Sequence, residues 1–325
     1  MTGQRLLIHS IFLFLLPLAI AWFGISLLGA IALVVVALLW RWAITLGVII
    51  MPVKVPALEL ETISASHFVE KVRWSMDRLG VEYTEKPVAG TLGVFYRGRT
   101  VPQLKIRTGL VQSVIGDSPG ILRYLWGAYG AVLGDQATFL EPTEERLAFE
   151  KKLDRYGANL QVWVYFHILD DRELTIHAWG GNDPTLPLWQ RYALNALFPL
   201  QRLLVRKGFQ ISEAHYARSV EHIEKLLADV DQRIAESGHS ILGSVAIDYV
   251  DIAFAAFSGL WLQPMKYGGG KADAVHIERE RCPPAMQQDI ERWITDYPNA
   301  VAYVERLYEH ERQSSRDGSS PASTL

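Results

Sequence analysis

The sequence predicts a βαβ–ββα domain followed by an all-α helical bundle, with a transmembrane helical hairpin ahead of both. Three observations carry this. The first 53 residues hold only two charged side chains, Arg5 and Arg41. The stretch 57–126 alternates short β-patterned runs with two helix signals. From Pro142 onward, apolar residues recur at helical spacing.

Composition sets the outer bounds. The chain has 325 residues, 50% of them hydrophobic and 21% charged. That charge content excludes a polytopic membrane protein, and that apolar content excludes a disordered chain. A net charge of −3 offers no overall basic footprint for nucleic acid. Cys282 is the only cysteine, which excludes an internal disulfide, a CxxC redox pair and a cysteine-built zinc site. The nine histidines show no HExxH or other close zinc spacing, so no metal is expected.

The apolar leader runs from Leu6 to about Met51. About 20 apolar residues make one membrane span, and this is more than twice that. Two helices fit, near Leu6–Ala21 and Ile25–Trp40, turning around Trp22, Phe23, Gly24 and Ser26. Arg5 and Trp40-Arg41-Trp42 then lie on one side. Arginines favour the cytoplasmic side and tryptophans the interface, so the globular part is expected to face the cytoplasm. Residues 43–51 would lie along the interface. Two alternatives stay open: a cleaved signal peptide ending near Ala21, and one long helix starting near Leu27. The domain limits are 1–53 for the leader, 57–127 for the mixed domain, 128–143 for a linker, 144–311 for the helical domain and 312–325 for a disordered tail.

After Pro52 and Pro56, Ala57–Ile63 alternates as a strand. Ser64-Ala65-Ser66 turns into a helix, His67–Leu79, which Gly80 stops. Val81–Thr84 reads as a second strand, Thr100–Ile106 as a third and Gly109–Ile115 as a fourth. The segment 116–119 opens a helix to about Trp126. Arg97-Gly98-Arg99 reads as a turn, with no helix following it to hold a phosphate.

Four pieces of this stretch resemble the cytosolic glutathione transferase superfamily. They are Ser66-His67-Phe68-Val69-Glu70-Lys71-Val72-Arg73-Trp74, Thr100-Val101-Pro102-Gln103-Leu104, Asp117-Ser118, and Ile121-Leu122-x-Tyr124-Leu125. They stand in the family's order and spacing. The resemblance implies a thioredoxin-like N-domain with an all-α C-domain, and glutathione as cosubstrate. It implies a cis Val101-Pro102 bond, with the Val101 backbone pairing to the cysteinyl part of glutathione. It implies that Asp117 and Ser118, at a helix N-terminus, take the γ-glutamyl group. Plain helix capping is the competing reading of that pair.

The sequence departs from its nearest pattern at the catalytic position. Where relatives often carry cysteine, this chain has Val69 or Ser66, so a protein–glutathione mixed disulfide is excluded there. A serine mechanism remains. The hydroxyl of Ser66, or of Ser64, would hydrogen-bond the glutathione sulfur and favour its thiolate. Both serines would equally serve as caps. His67 is either a polar contact for glutathione or a loop residue.

The second half reads as helices over 145–170, 188–207, 212–236, 248–262, 285–296 and 299–313. Asp248-Tyr249-Val250-Asp251 looks like the family's buried capping box, a structural feature. Tyr165, His167, Trp261 and Tyr267 are the candidates for an apolar acceptor pocket, with core packing as their competing role. Gly268-Gly269-Gly270 reads as a flexible loop. The whole points to a membrane-anchored glutathione transferase acting on a small apolar electrophile or a peroxide. Its partners would be the lipid bilayer and a second copy, since dimers are usual in the family. The alternative is an inactive membrane scaffold on the same fold.

Overall fold

The computed structural model describes residue 19, residues 27–50, 55–90, 92, 101–108 and 111–312. The chain divides into two compact units. One is the chain up to Ala57 together with Ile106–Ser113, and the other is Leu58–Lys105 together with the chain from Val114 onward.

In the first unit, helix α1 runs Leu27–Ile50. At 1.5 Å per residue it is about 36 Å long. It does not stop at Trp40, where the second hairpin arm was expected to end, but passes straight through Trp40-Arg41-Trp42. Nothing in that stretch breaks a helix, because it lacks both proline and a capping residue. The first hairpin arm and the turn lie outside the described residues, apart from Ala19. Among the described residues, no helix is long and apolar enough to cross a membrane. Several large apolar side chains of α1 are exposed, among them Val36, Leu39, Trp40 and Trp42.

The strands are β1 (Ala57–Thr62), β2 (Thr84–Pro87), β3 (Gln103–Thr108) and β4 (Val111–Ile115), in sheet order β2-β1-β3-β4. β1 and β2 are parallel, with Leu60 opposite Glu85. α2 (His67–Leu79) lies between them in sequence and supplies the crossover. Its C-terminus is closed by Gly80 at φ +67°, whose N–H bonds the Asp77 and Met76 carbonyls. The second and third strands start three residues later than expected, and the fourth ends at Ile115 as expected.

α3 (Ser118–Leu133) runs seven residues past its expected end and passes into a 3-10 turn over Gly134–Leu140. The anticipated linker is thus ordered structure. α4 (Glu144–Ile168) is capped by the Thr143 side chain, which accepts from the Arg146 N–H. A short α5 (Arg172–Ala178) follows, held by an Asp171 cap that the sequence reading passed over. The single helix expected over 188–207 is two, α6 (Leu188–Ala196) and α7 (Phe198–Gly208). Pro199 accounts for the break, because it lacks an N–H for the ladder and its ring would clash with the carbonyl four residues back in a continuous helix. α8 (Glu213–Ser237), α9 (Tyr249–Leu262), α10 (Pro284–Asp296) and α11 (Pro298–His310) complete the bundle.

α9 is apolar on every side and buried along most of its length, packing on α2 and α4. Its start matches the sequence reading. Asp248 accepts from the Val250 N–H, and Asp251 accepts from the Asp248 N–H, forming the capping box.

The Glu70-Lys71-x-Arg73 run is a buried ionic layer. Lys71 reaches Glu150 on α4 at 2.7 Å. Arg73 pairs with Glu70 at 3.2 Å and with Glu85 on β2. Arg312 donates from Nε to Glu70 at 2.8 Å and from Nη1 to Asp77 at 2.8 Å. Arg312 was placed in the disordered tail, but it is 1% exposed and closes this layer. Gly268–Gly270 is likewise packed, as part of a buried 3-10 turn beside Arg312. An ionic layer needs every charge matched, which binds α2 to the helices around it.

Candidate functional site

β1 delivers the chain to the Ile63–Ser66 turn, where the Ser66 N–H bonds the Ile63 carbonyl. Ser66 occupies the cap position of α2 with extended backbone (φ −73°, ψ 122°), yet its side chain makes no capping hydrogen bond. Ser66 lines a cavity together with His67, Tyr165, Trp179, Tyr267 and Met286. The thirteen-residue α2 places its positive end there. Tyr267 secures the turn by donating its hydroxyl to the Ala65 carbonyl at 3.1 Å.

Ser64 is spent elsewhere. It is buried, and its Oγ donates to Asp183 Oδ2 at 3.1 Å. The same Asp183 accepts from the Thr185 N–H and hydroxyl. Of the two serines, Ser66 alone faces the cavity.

His67 is 2% exposed, and its Nε2 lies 3.0 Å from the Gly157 carbonyl of α4. Burial lowers its pKa to about 4. It is therefore neutral at physiological pH and occupied by the backbone. The close approach requires glycine at 157, because a Cβ there would meet the Phe68 ring at 2.9 Å.

Val101-Pro102 is a cis peptide bond, as the resemblance implies. It directly precedes β3, the neighbour of β1 in the sheet. Asp117 caps α3, its carboxylate accepting from the Gly120 N–H, and Ser118 is buried in the first helical turn. None of these four residues lines the Ser66 cavity.

The four acceptor-pocket candidates separate into two pairs. Tyr165 and Tyr267 line the cavity. Trp261 is core, its Nε1 donating to the Tyr156 hydroxyl at 3.0 Å. His167 is part of a polar cluster, in which it, Trp163 and Tyr216 all donate to Asp289 Oδ2. Aromatic density marked the right helices without resolving which face each side chain takes. The reading missed Trp179, Gln161, Gln263, His276 and Met286, which also line the cavity. Their only sequence signal is proximity to the expected helices. Among the described residues, no group of three or more His, Cys, Asp or Glu side chains could hold a metal ion.

No family model matches the chain, and no curated protein matches it. Solved structures do resemble it. A glutathione S-transferase III in apo form is 15% identical over 83% of this chain and 99% of that one, with a TM-score of 0.47. A glutathione S-transferase from Methylobacterium radiotolerans, in complex with glutathione sulfonate, is 15% identical over 83% and 97%, with a TM-score of 0.49. Ure2p in complex with glutathione is 14% identical over 80% and 97%, with a TM-score of 0.38. At these identities and scores the likenesses carry no conclusion about chemistry, which rests on this chain's own residues.

Proposed function

We propose that the chain is a membrane-tethered, serine-type glutathione transferase. The observation that supports it best is Ser66, which stands at the N-terminus of α2, makes no capping hydrogen bond with its side chain and lines a largely apolar cavity. Bound glutathione would supply the thiol nucleophile. Ser66 would donate a hydrogen bond to its sulfur, and the positive end of α2 would favour the thiolate over the thiol. The Val101 backbone would align the cysteinyl part, and Ser118 with the first N–H groups of α3 would take the γ-glutamyl carboxylate. His67 holds α2 to α4 and lies outside this contact set. Tyr165 and Tyr267 would pack against a small apolar electrophile or peroxide.

The leader supports the tether. It carries one charge, Arg41, across the 24 residues of α1, and its large apolar side chains are exposed. An anchored transferase would meet apolar acceptors where they dissolve. We place the globular part on the cytoplasmic side, following Arg5 and Arg41. Protease protection of the full chain in oriented vesicles tests that placement.

One observation favours the second reading, an inactive interaction module: the Asp117 carboxylate is already committed to the Gly120 N–H. Calorimetry of the full chain with reduced glutathione separates the two. Affinity in roughly the micromolar-to-millimolar range, weakened in Asp117→Ala, Ser118→Ala, supports the transferase. No heat at millimolar glutathione from folded protein would overturn it.

A further inference from the structure

The outer face of the α6–α7 pair is apolar, exposed and basic. Leu188, Trp189 and Tyr192 stand out from α6, and Leu200, Leu203 and Leu204 from α7. In α7 two stripes share one helix. Phe198, Gln201 and Val205 are buried, whereas the outer stripe of 200, 203 and 204 continues into Lys207. The buried stripe joins a core cluster containing Trp179, which itself lines the Ser66 cavity. The exposed stripe has no such reason to be leucine.

Its charge identifies the occupant. From Pro184 to Ser212 the chain has no acidic residue and four basic ones, Arg191, Arg202, Arg206 and Lys207, although the whole chain is net acidic. Arg202 and Arg206 pair with Asp170 at the end of α4, and each is still more than 40% exposed. A second copy seated on this face through a two-fold axis would set basic row against basic row. An anionic lipid surface complements it instead. Leucines enter the acyl boundary, Trp and Tyr suit the headgroup level, and arginine and lysine meet the phosphates.

We propose that α6 and α7 form a second membrane contact, lying flat on an anionic bilayer surface beside the cavity wall that Trp179 builds. The inference deepens the tethered reading above and rests on the membrane as partner, but not on glutathione chemistry. It makes the leader a tether and the helix pair an orienting contact.

The test uses the full chain in a Cys282→Ser background, reconstituted in nanodiscs with and without phosphatidylserine. A polarity-sensitive fluorophore is attached at Leu203→Cys, at Leu33→Cys in the leader, or at Met265→Cys, an exposed control position in the segment that follows α9. Nitroxide lipids should quench the Leu203 probe severalfold more than the Met265 probe, more strongly with phosphatidylserine, and less at high salt. Quenching at Leu33 with none at Leu203 overturns the helix-pair contact alone. Quenching at Leu203 with none at Leu33 supports it and removes the leader as tether. Lipid-independent burial of the Leu203 probe that rises with protein concentration would assign the face to a second copy and also overturn it.

Discussion

The Ser64 hydroxyl donates to the Asp183 carboxylate at 3.1 Å, a bond that joins residues 119 apart in sequence. Ser66, two positions on, caps nothing and faces the cavity. The two serines should therefore respond oppositely to alanine. Ser64→Ala removes a buried bond and should lower unfolding free energy by about 1 kcal/mol, leaving turnover of the remaining folded protein unchanged. Ser66→Ala should leave the urea midpoint in place. It should raise the pKa of enzyme-bound glutathione toward about 8.5 and slow thiol addition about a hundredfold. Ultraviolet titration of the bound thiolate reads the first effect and initial rates the second.

The same pair shows what sequence could and could not carry. The turn and the Asp248 capping box were legible because each is set by a few adjacent residues, whereas the cis Val101-Pro102 bond followed only from the resemblance of that stretch to a known family. The choice between Ser64 and Ser66 was not, since it depends on Asp183. The Glu70-Lys71-Val72-Arg73-Trp74 run served as a family marker, yet its partners Glu150, Glu85 and Arg312 lie 79, 12 and 242 residues from their own contacts. Nothing in a linear pattern specifies such pairings. Pro199 was visible, but it sits within a continuous apolar run whose helical period hid the break.

Asp289 collects hydrogen bonds from Trp163, His167, Tyr216 and Arg292. Burial alone would raise its pKa, but these donors hold it down to about 2, against an ordinary 3.8. Between those values the unfolded chain binds more protons than the folded one. The stabilisation is thus present above about pH 4 and lost as pH falls through about 2, amounting to roughly 2 kcal/mol. Urea titrations should show wild type exceeding Asp289→Asn at pH 5 to 7 and converging toward it near pH 2.

Asp251 should behave in the opposite sense. Burial, then the neighbouring Asp248 charge, raises its pKa to about 6. A raised folded value means a contribution complete below the ordinary 3.8 and lost as pH rises through about 6. Its carboxylate accepts from the Ile241 and Asp248 N–H groups and the Tyr303 hydroxyl. Asp251→Asn keeps one oxygen and turns an amide N–H₂ against a backbone donor, which should cost about 1–3 kcal/mol. The gap between wild type and Asp251→Asn should widen as pH drops from 7 to 4, the reverse of the Asp289 pair.

Arg312 and Gly269 supply a prediction about coupling. Arg312→Ala leaves Glu70 with Arg73 alone and removes the guanidinium paired with Asp77, which should cost about 3 kcal/mol. Gly269 has φ +60°, and a Cβ there would stand 2.5 Å from Arg312 Nη2. Elsewhere an arginine tip would simply swing away, but this one is fixed from Nε by Glu70 and from Nη1 by Asp77. Gly269→Ala should therefore carry two costs, the left-handed backbone and the displaced guanidinium. Only the second depends on Arg312. In the double variant that cost vanishes, so the combined loss should fall short of the sum of the two singles by about 1 kcal/mol or more. Simple additivity in a urea double-mutant cycle would mean that the guanidinium yields freely, and that Arg312 is not the rigid closing element of the ionic layer.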